Sequence, residues 1–448
     1  MPRSADARAL ALQVLLRVER QQAYLNLTLA SVLDTAGDID RRDAALATEL
    51  CYGVYRRLLA LDAAIAAHAD RSLQKLEAVV LAALRLGAYQ LLYLDRVPER
   101  AAVAATVELV KKERPRAAGF VNAILRAISR ERTVPLPDAQ KDFARHLSIR
   151  ESHPRWLVER FLAQLGPTET EALLVAHNKA PAIQVRANVK RANRDEVLQA
   201  LKDDGVTATP TTHSPVGMTL VDPGPLEKLA SYKRGLWQVQ DEAAQCVGFL
   251  ARPAGGARLL DGCAAPGGKA CHLLERMDAG AKLLAVDLHQ NKLGKIHAEA
   301  QRLGLADSLE LRAHDLTTPL AGSPKFDRVL IDAPCTGLGT LRRHPELRYR
   351  REPQDIARLA ELQASILRNV ATHVAPGGLL TYAVCSVTPE EGSQQIEKFL
   401  AEAKGFSRVG GEDLPASVKP LVDEKGQLST WPHRHEADGF WAATLRRD

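Results

Sequence analysis

At 448 residues the chain exceeds what one hydrophobic core ordinarily holds, so two or three domains are expected. Its 46% hydrophobic and 25% charged residues are those of a soluble globular protein, and no apolar run approaches membrane-spanning length. A net charge of +6 favours an anionic partner, but it is small for the length, so any basic surface must be local.

The first 133 residues read as helical throughout, rich in Ala, Leu and Arg from Ser4 onward. LALQVLLRV near the start contains Arg17 and follows no signal-like region, which favours a cytoplasmic over a secreted protein. Leu46, Leu50, Val54 and Leu58 lie four apart, one stripe of an amphipathic helix opened by Asp38 and Asp40. LEAVVLAALRLGAYQLLYL and GFVNAILRAISR predict two more helices. A small bundle that binds RNA or a partner is the expectation here.

Residues 134–235 differ in texture. TVPLPDAQ is a linker by its prolines, HPRWLVERFLAQLG predicts a helix, and AIQVRANVKRANRDEVLQALKDDGV reads strand, basic turn, helix. A small α/β unit carrying Arg186 and Lys190 is expected. From residue 236 to 448, the strands ARLLDG, KLLAVDL, SLELRAHD, RVLIDAP, GLLTYAVCS and FWAATLR alternate with helical segments. Several are apolar on both faces, as buried parallel strands require. The fold class is therefore α/β, a doubly wound Rossmann-like sheet preceded by an all-α bundle, with ligands expected beyond the carboxyl ends of the strands.

The first strand runs into DGCAAPGGKACHLLE. Glycines allow close backbone approach to a ligand, and the helix after them presents N–H groups. A phosphate loop fails on spacing, because Gly262 and Gly267 are followed by Gly268, Lys269 and Ala270, with the lysine one place late and no hydroxyl for magnesium. The pattern GxGxxG fails as well. Asp287, Asp315 and Asp332 end three consecutive strands. A single strand-end Asp is more often a helix cap. Three beside a glycine loop suit a nucleoside without phosphates, and S-adenosylmethionine, with its ribose hydroxyls and cationic sulfonium, fits such a cleft.

Six cysteines at 51, 246, 263, 271, 335 and 385 form no CxxC pair or disulfide framework, as in a reducing cytoplasm. His433 and His435 in WPHRHE read as a polar loop, so no metal is expected. Cys335, behind Pro334, and Cys385 each follow a strand. Either alone reads as a small buried hydrophobe. Both stand beside the inferred methyl donor, however, and methylation of carbon 5 of a pyrimidine needs a thiolate to add to carbon 6 first.

DGCAAPGGK, IDAPCTGLG, YAVCSVTPEE, DGFWAATLRR and VQDEAAQ resemble the RNA cytosine-5 methyltransferases of the Nol1/Nop2/Sun family. RDAALATELCYGVYRR, LRLGAYQLLYLDRVPERAAV and GFVNAILRAI resemble the helical domain of the antitermination factor NusB. The two in this order resemble the bacterial branch of the family, which implies small-subunit (16S) rRNA as the substrate. The resemblance implies that Cys385 is the nucleophile and that Cys335 assists product release. It implies a methionine-side loop of Cys263, Ala264, Ala265, Pro266, Gly267, Gly268 and Lys269. Asp287 would hold the ribose, Asp315 the adenine edge, and Asp332 would lie between donor and target base. Lys269 would tune a thiol or orient the base, with packing or phosphate contact as its plainer roles. Departures from the family pattern are Val384 in place of Thr, Thr336 in place of Ser, and Ala104-Ala105 where a polar pair is common.

LRRHPELRYRRE places Arg342, Arg343, Arg348, Arg350 and Arg351 around His344 and Tyr349, which reads either as an RNA contact or as a salt-bridged surface. A stacked base hides carbon 6 from a thiol, so single-stranded or looped rRNA is the expected substrate, met by a monomer. Rival readings are a transfer RNA or another rRNA site, a non-catalytic RNA-binding assembly factor, and a small-molecule or protein methyltransferase. The last needs neither cysteine.

Overall fold

The computed structural model describes residues 6–37 and 39–448. Ser4 and Asp38, which entered the helix readings above, lie outside the described residues. The chain divides into two compact units. One holds the described residues through Lys179 with Leu341–Arg351, and the other holds Ala180–Thr340 with Glu352–Asp448.

The first unit is helical: α1 (Ala7–Gln21), α2 (Leu25–Ala36), α3 (Arg41–Arg56), α4 (Leu58–Ala66), α5 (Ala78–Tyr93), α6 (Glu99–Glu113), α7 (Ala118–Glu131), α8 (Phe143–Arg150) and α9 (Arg155–His177). Asp6 and Asp40 open α1 and α3 by accepting the N–H groups of Arg8 at 3.0 Å and Arg42 at 2.7 Å. Leu50 and Val54 of the predicted stripe are buried, but Leu58 starts a new helix because the backbone turns at Arg57. α5 is buried along most of its length, and Gly87 lets it approach α7: a Cβ there would stand 2.7 Å from Leu125. α9 breaks at Gly166, whose φ is +77°, just before Pro167. α8 and α9, within the stretch 134–235 set apart in the sequence, group with the first compact unit.

In the second unit β1 (Ile183–Ala187), β2 (Thr207–Pro210), β3 (Gly217–Val221) and β4 (Trp237–Val239) form an antiparallel sheet in the order β2-β3-β1-β4. The helix Arg194–Asp203 follows β1, opened by a reciprocal cap between Asn193 and Glu196. A larger sheet holds β5 (Arg258–Gly262), β6 (Lys282–Asp287), β7 (Leu309–Ala313), β8 (Phe326–Asp332), β9 (Val374–Val384), β10 (Phe406–Arg408), β11 (Gln427–Thr430) and β12 (Phe440–Arg447). Its order is β10-β12-β9-β8-β5-β6-β7, with β11 beside β12. β5 to β9 run parallel, whereas β10, β11 and β12 pair antiparallel. Chain order reverses between β5 and β8, which makes their carboxyl ends the crevice of the sheet. The short β10 and β11 were not anticipated, being too short to show a period.

The two sheets share one core, in which Val185, Met218 and Trp237 lie with Phe249, Leu273 and Leu283. Arg186 of β1 adds a polar tie. It is fully buried and grips Glu275 of the helix Gly268–Arg276 with two nitrogens, at 2.7 and 2.9 Å. It also donates to Gln238 at 2.9 Å and to the carbonyl of Gly268 at 3.2 Å. The helix after the glycine loop is thereby fixed to the small sheet. Removing one member of a buried pair strands the other, so Arg186→Ala is expected to cost about 3–5 kcal/mol of stability. Urea denaturation of the two proteins measures this directly.

Candidate active site

The carboxyl ends of β5, β6, β8 and β9 gather most of the residues singled out above. β5 pairs with both β6 and β8, placing Gly262 opposite Val286 and Ile331. The loop after it turns on Cys263, with φ +59°, and on Gly267, with φ +106°. Gly267 lies close to Ile296, 3.1 Å from where a Cβ would stand, so this position needs glycine for both conformation and space.

Asp287 ends β6 and steadies this loop, its carboxylate accepting the N–H groups of Ala265 at 3.1 Å and His289 at 3.0 Å. Asp315 lies two residues beyond β7 and is exposed, with Oδ1 accepting from the backbone and hydroxyl of Thr317 at 2.9 and 2.7 Å. Those bonds hold its carboxyl below the usual range. Asp332 ends β8 and accepts the Lys269 ammonium at 2.6 Å through Oδ2, while Oδ1 is buried without a partner. Burial opposes the charge on Lys269, but the Asp332 pair outweighs it and the ammonium is held above its ordinary value. Its nitrogen also lies 4.9 Å from the centre of the Phe440 ring.

One residue of this cluster escaped the sequence reading. Asp261, the penultimate residue of β5, is fully buried, and neither carboxylate oxygen has a hydrogen-bond partner. Burial, then repulsion from Asp332, pushes its carboxyl up to about 8 despite Lys269. The signal was present, since it sits near a strand end as the other three acids do, but the glycine motif drew attention to the residues after it. All four carboxylates act on the Cys263 thiol, which burial and their charges push up together. Four acids against one lysine, with orphaned oxygens on Asp261 and Asp332, suit a cationic sulfonium donor with hydroxyls and an amine to give. The residues present therefore fit S-adenosylmethionine.

β8 and β9 are neighbours in parallel register, with Asp332 opposite Ala383. Cys335 lies three residues beyond the end of β8 and Cys385 one residue beyond the end of β9. Their sulfurs approach to 3.3 Å. The hydrogen bond with Cys385 and then burial drive the Cys335 thiol well above its ordinary value, so Cys335 keeps its proton. Val384 is buried in the core, and the Thr336 hydroxyl reaches Glu391 and Ser386. The hydroxyl retained at 336 is thus in use, while the position that lost one is apolar packing.

The arginine run belongs to the helical unit. Arg348 does not face solvent. It is fully buried and donates to Asn178 Oδ1 and the carbonyl of His177, both at 2.7 Å, and burial lowers it to about 10. The Tyr349 hydroxyl donates to the carbonyl of Ser152 at 2.7 Å. Arg350 donates to the carbonyls of Ala23 at 2.6 Å and Gln22 at 2.8 Å just past α1. Arg342 is buried and Arg343 half-buried. The expectation of a phosphate-binding run is therefore corrected at Arg348 and Tyr349, whose polar groups bind backbone and side chain inside this unit. Their partners are more than a hundred residues distant in sequence, so no local pattern could have shown it. His435 accepts the Trp431 N–H through Nδ1 at 2.9 Å, a local turn contact.

The state of Asp261 has a consequence for stability. An unfolded Asp titrates near 3.9. Between that value and about 8 the folded protein holds a proton that the unfolded chain has released. Stability thus falls as the pH rises through this window and levels off above it. Asp261→Asn removes the slope. Without cofactor, the variant is expected to melt above the wild type at about pH 8, with the gap shrinking by about pH 5.5; thermal denaturation at the two pH values checks it.

Comparison with known proteins bears on this site. Residues 249–446 match the family model of the 16S rRNA methyltransferase RsmB/F, residues 5–130 that of the NusB family, and residues 153–227 a ferredoxin-like domain of RsmF/B-like methyltransferases. The chain is 34% identical to the probable ribosomal RNA small subunit methyltransferase B of Bacillus subtilis (strain 168), over 99% of both chains. It is 36% identical to the ribosomal RNA small subunit methyltransferase B of Klebsiella pneumoniae (strain 342), again over 99% of both. The crystal structure of PH0851 superposes with a TM-score of 0.82 at 25% identity, covering 99% of each chain. The chain belongs to the 16S rRNA methyltransferase RsmB/F family, and it is an S-adenosylmethionine-dependent methyltransferase with a NusB-type helical domain and a ferredoxin-like intermediate sheet.

Proposed function

We propose that the protein methylates carbon 5 of a cytidine in small-subunit (16S) rRNA through a covalent cysteine–cytosine adduct. The observation that carries this reading is the thiol pair, two sulfurs 3.3 Å apart at the ends of adjacent strands beside an acid-lined cofactor crevice. The names of the full-length relatives supply the class of RNA.

S-adenosylmethionine supplies the methyl group. The Cys385 thiolate adds to carbon 6 of the cytosine, and the electron pair displaced from the ring double bond makes carbon 5 nucleophilic. Carbon 5 takes the methyl group. A base then removes the carbon-5 proton, the carbon–sulfur bond breaks, and its electrons return to Cys385. One proton leaves for each methyl gained. Cys335, protonated and in contact with the nucleophile, is within reach to exchange a proton with it during release. Asp332 has one oxygen on Lys269 and one orphaned, which suits a hydrogen bond to the target base. The target base must be unpaired or flipped, because a stacked ring hides carbon 6. Reduced thiols accord with a cytoplasmic site of action.

A denaturing gel of wild type, Cys335→Ala and Cys385→Ala, each incubated with S-adenosylmethionine and small-subunit rRNA, tests the assignment. Cys335→Ala is expected to accumulate a protein–RNA adduct, and Cys385→Ala to form none and to transfer no methyl groups. The opposite pattern would make Cys335 the nucleophile.

A further inference from the structure

Strand adjacency alone does not bring two sulfurs into contact, because neighbouring strands lie about 4.8 Å apart and loops diverge beyond them. What draws the two loops together is Glu391, six residues past Cys385 and just before the helix Ser393–Glu402. Its carboxylate is fully buried. Oε1 accepts the Thr336 N–H at 2.7 Å and Gln363 Nε2 at 3.1 Å. Oε2 accepts the hydroxyls of Thr336 and Ser386, both at 2.5 Å, and that of Thr388 at 2.9 Å. Five donors, none of them a cation, hold this charge away from water.

The identity of the donors gives the arrangement its meaning. Thr336 and Ser386 are the residues immediately after Cys335 and Cys385, and a single carboxylate oxygen holds both. Their own hydroxyls lie 3.1 Å apart. On the other side of Cys335, the Pro334 carbonyl accepts Gln363 Nε2 at 3.0 Å. Gln363 in turn accepts from the Tyr382 hydroxyl at 3.1 Å, and that hydroxyl reaches the Glu391 carbonyl at 2.7 Å. The backbone on both sides of Cys335 and the residue after Cys385 are therefore tied to one group. A buried carboxylate is costly unless its lone pairs are filled. Each of these bonds thus resists the separation of the loops.

We propose that Glu391 is a positioning residue whose carboxylate sets the separation of the two reactive thiols by holding the residues that follow them. The inference rests on the reading that both cysteines take part in the reaction, but the separation itself can be read without turnover. Gln at this position replaces one acceptor with an N–H donor. The Thr336 N–H and the Gln363 amide on Oε1, or the three hydroxyls on Oε2, then meet a group that cannot accept from them.

The test uses diamide on the full-length protein. It oxidises two neighbouring thiols to a disulfide and is itself reduced to the hydrazine, and the Cys335–Cys385 peptide pair is followed by mass spectrometry. The wild type is expected to cross-link rapidly and Glu391→Gln many times more slowly. Glu391→Gln should also lose about a hundredfold in kcat, as a misplacement near 1 Å does, with the KM for S-adenosylmethionine little changed. Glu391→Asp, which keeps the charge, should recover part of both. If Glu391→Gln fails to fold, Thr336→Val and Ser386→Ala each remove one donor and should each slow cross-linking. The proposal is overturned if the wild type does not cross-link, or if these variants cross-link and turn over as the wild type does. A wild type that cross-links rapidly but places no methyl on carbon 5 overturns the proposed reaction and leaves the positioning role standing.

Discussion

The parallel pairing of β8 with β9 is the constraint on which the site depends. Asp332 stands opposite Ala383, so the two strands end nearly level, and the chain beyond each has only a few residues in which to place a thiol. β8 also pairs with β5 on its other edge, which brings the glycine loop and its acids alongside. One strand therefore has the cofactor crevice on one side and the second thiol on the other, with Asp332 at its own tip. A change of register by one residue would turn Asp332 away and separate the cysteines.

Charge is distributed within that frame with the same economy. Lys269 meets Asp332, while buried Asp261 has no hydrogen-bond partner and keeps its proton up to about pH 8, in a crevice that also holds Asp287. A neutral cofactor would gain little from this surplus of acid, whereas a cationic one offsets it. At the thiols the order is reversed. The residues that follow Cys335 and Cys385 are held by the Glu391 carboxylate, which accepts five hydrogen bonds from neutral donors. One region of the crevice is left electrostatically incomplete for a ligand, and the adjoining one is closed.

Much of this was legible in the sequence, for identifiable reasons. The strands β5, β6 and β8 carry short apolar runs bounded by turn residues, and each of the three acids read from sequence falls at or just past a strand end. Asp40 is a helix cap that local spacing reveals. The rest depended on contacts distant along the chain. Glu391 meets Thr336 across 55 residues, and Arg348 meets Asn178 across 170. A run of five arginines looks alike whether it faces a phosphate or closes a helical core, and only the fold decides. Asp261 is the intermediate case, visible as a strand-end acid but hidden within a motif known for its glycines.

The claim that joins these parts is that carbon 5 of cytosine is the atom methylated, because methylation at carbon 5 of a pyrimidine calls for a thiol beside the donor. Small-subunit rRNA carrying tritium at carbon 5 of its cytidines reports on that atom directly. Tritium is expected to pass to water in step with methyl transfer, one for one. Methyl transfer with the tritium retained would contradict it, and the paired thiols would then need another explanation.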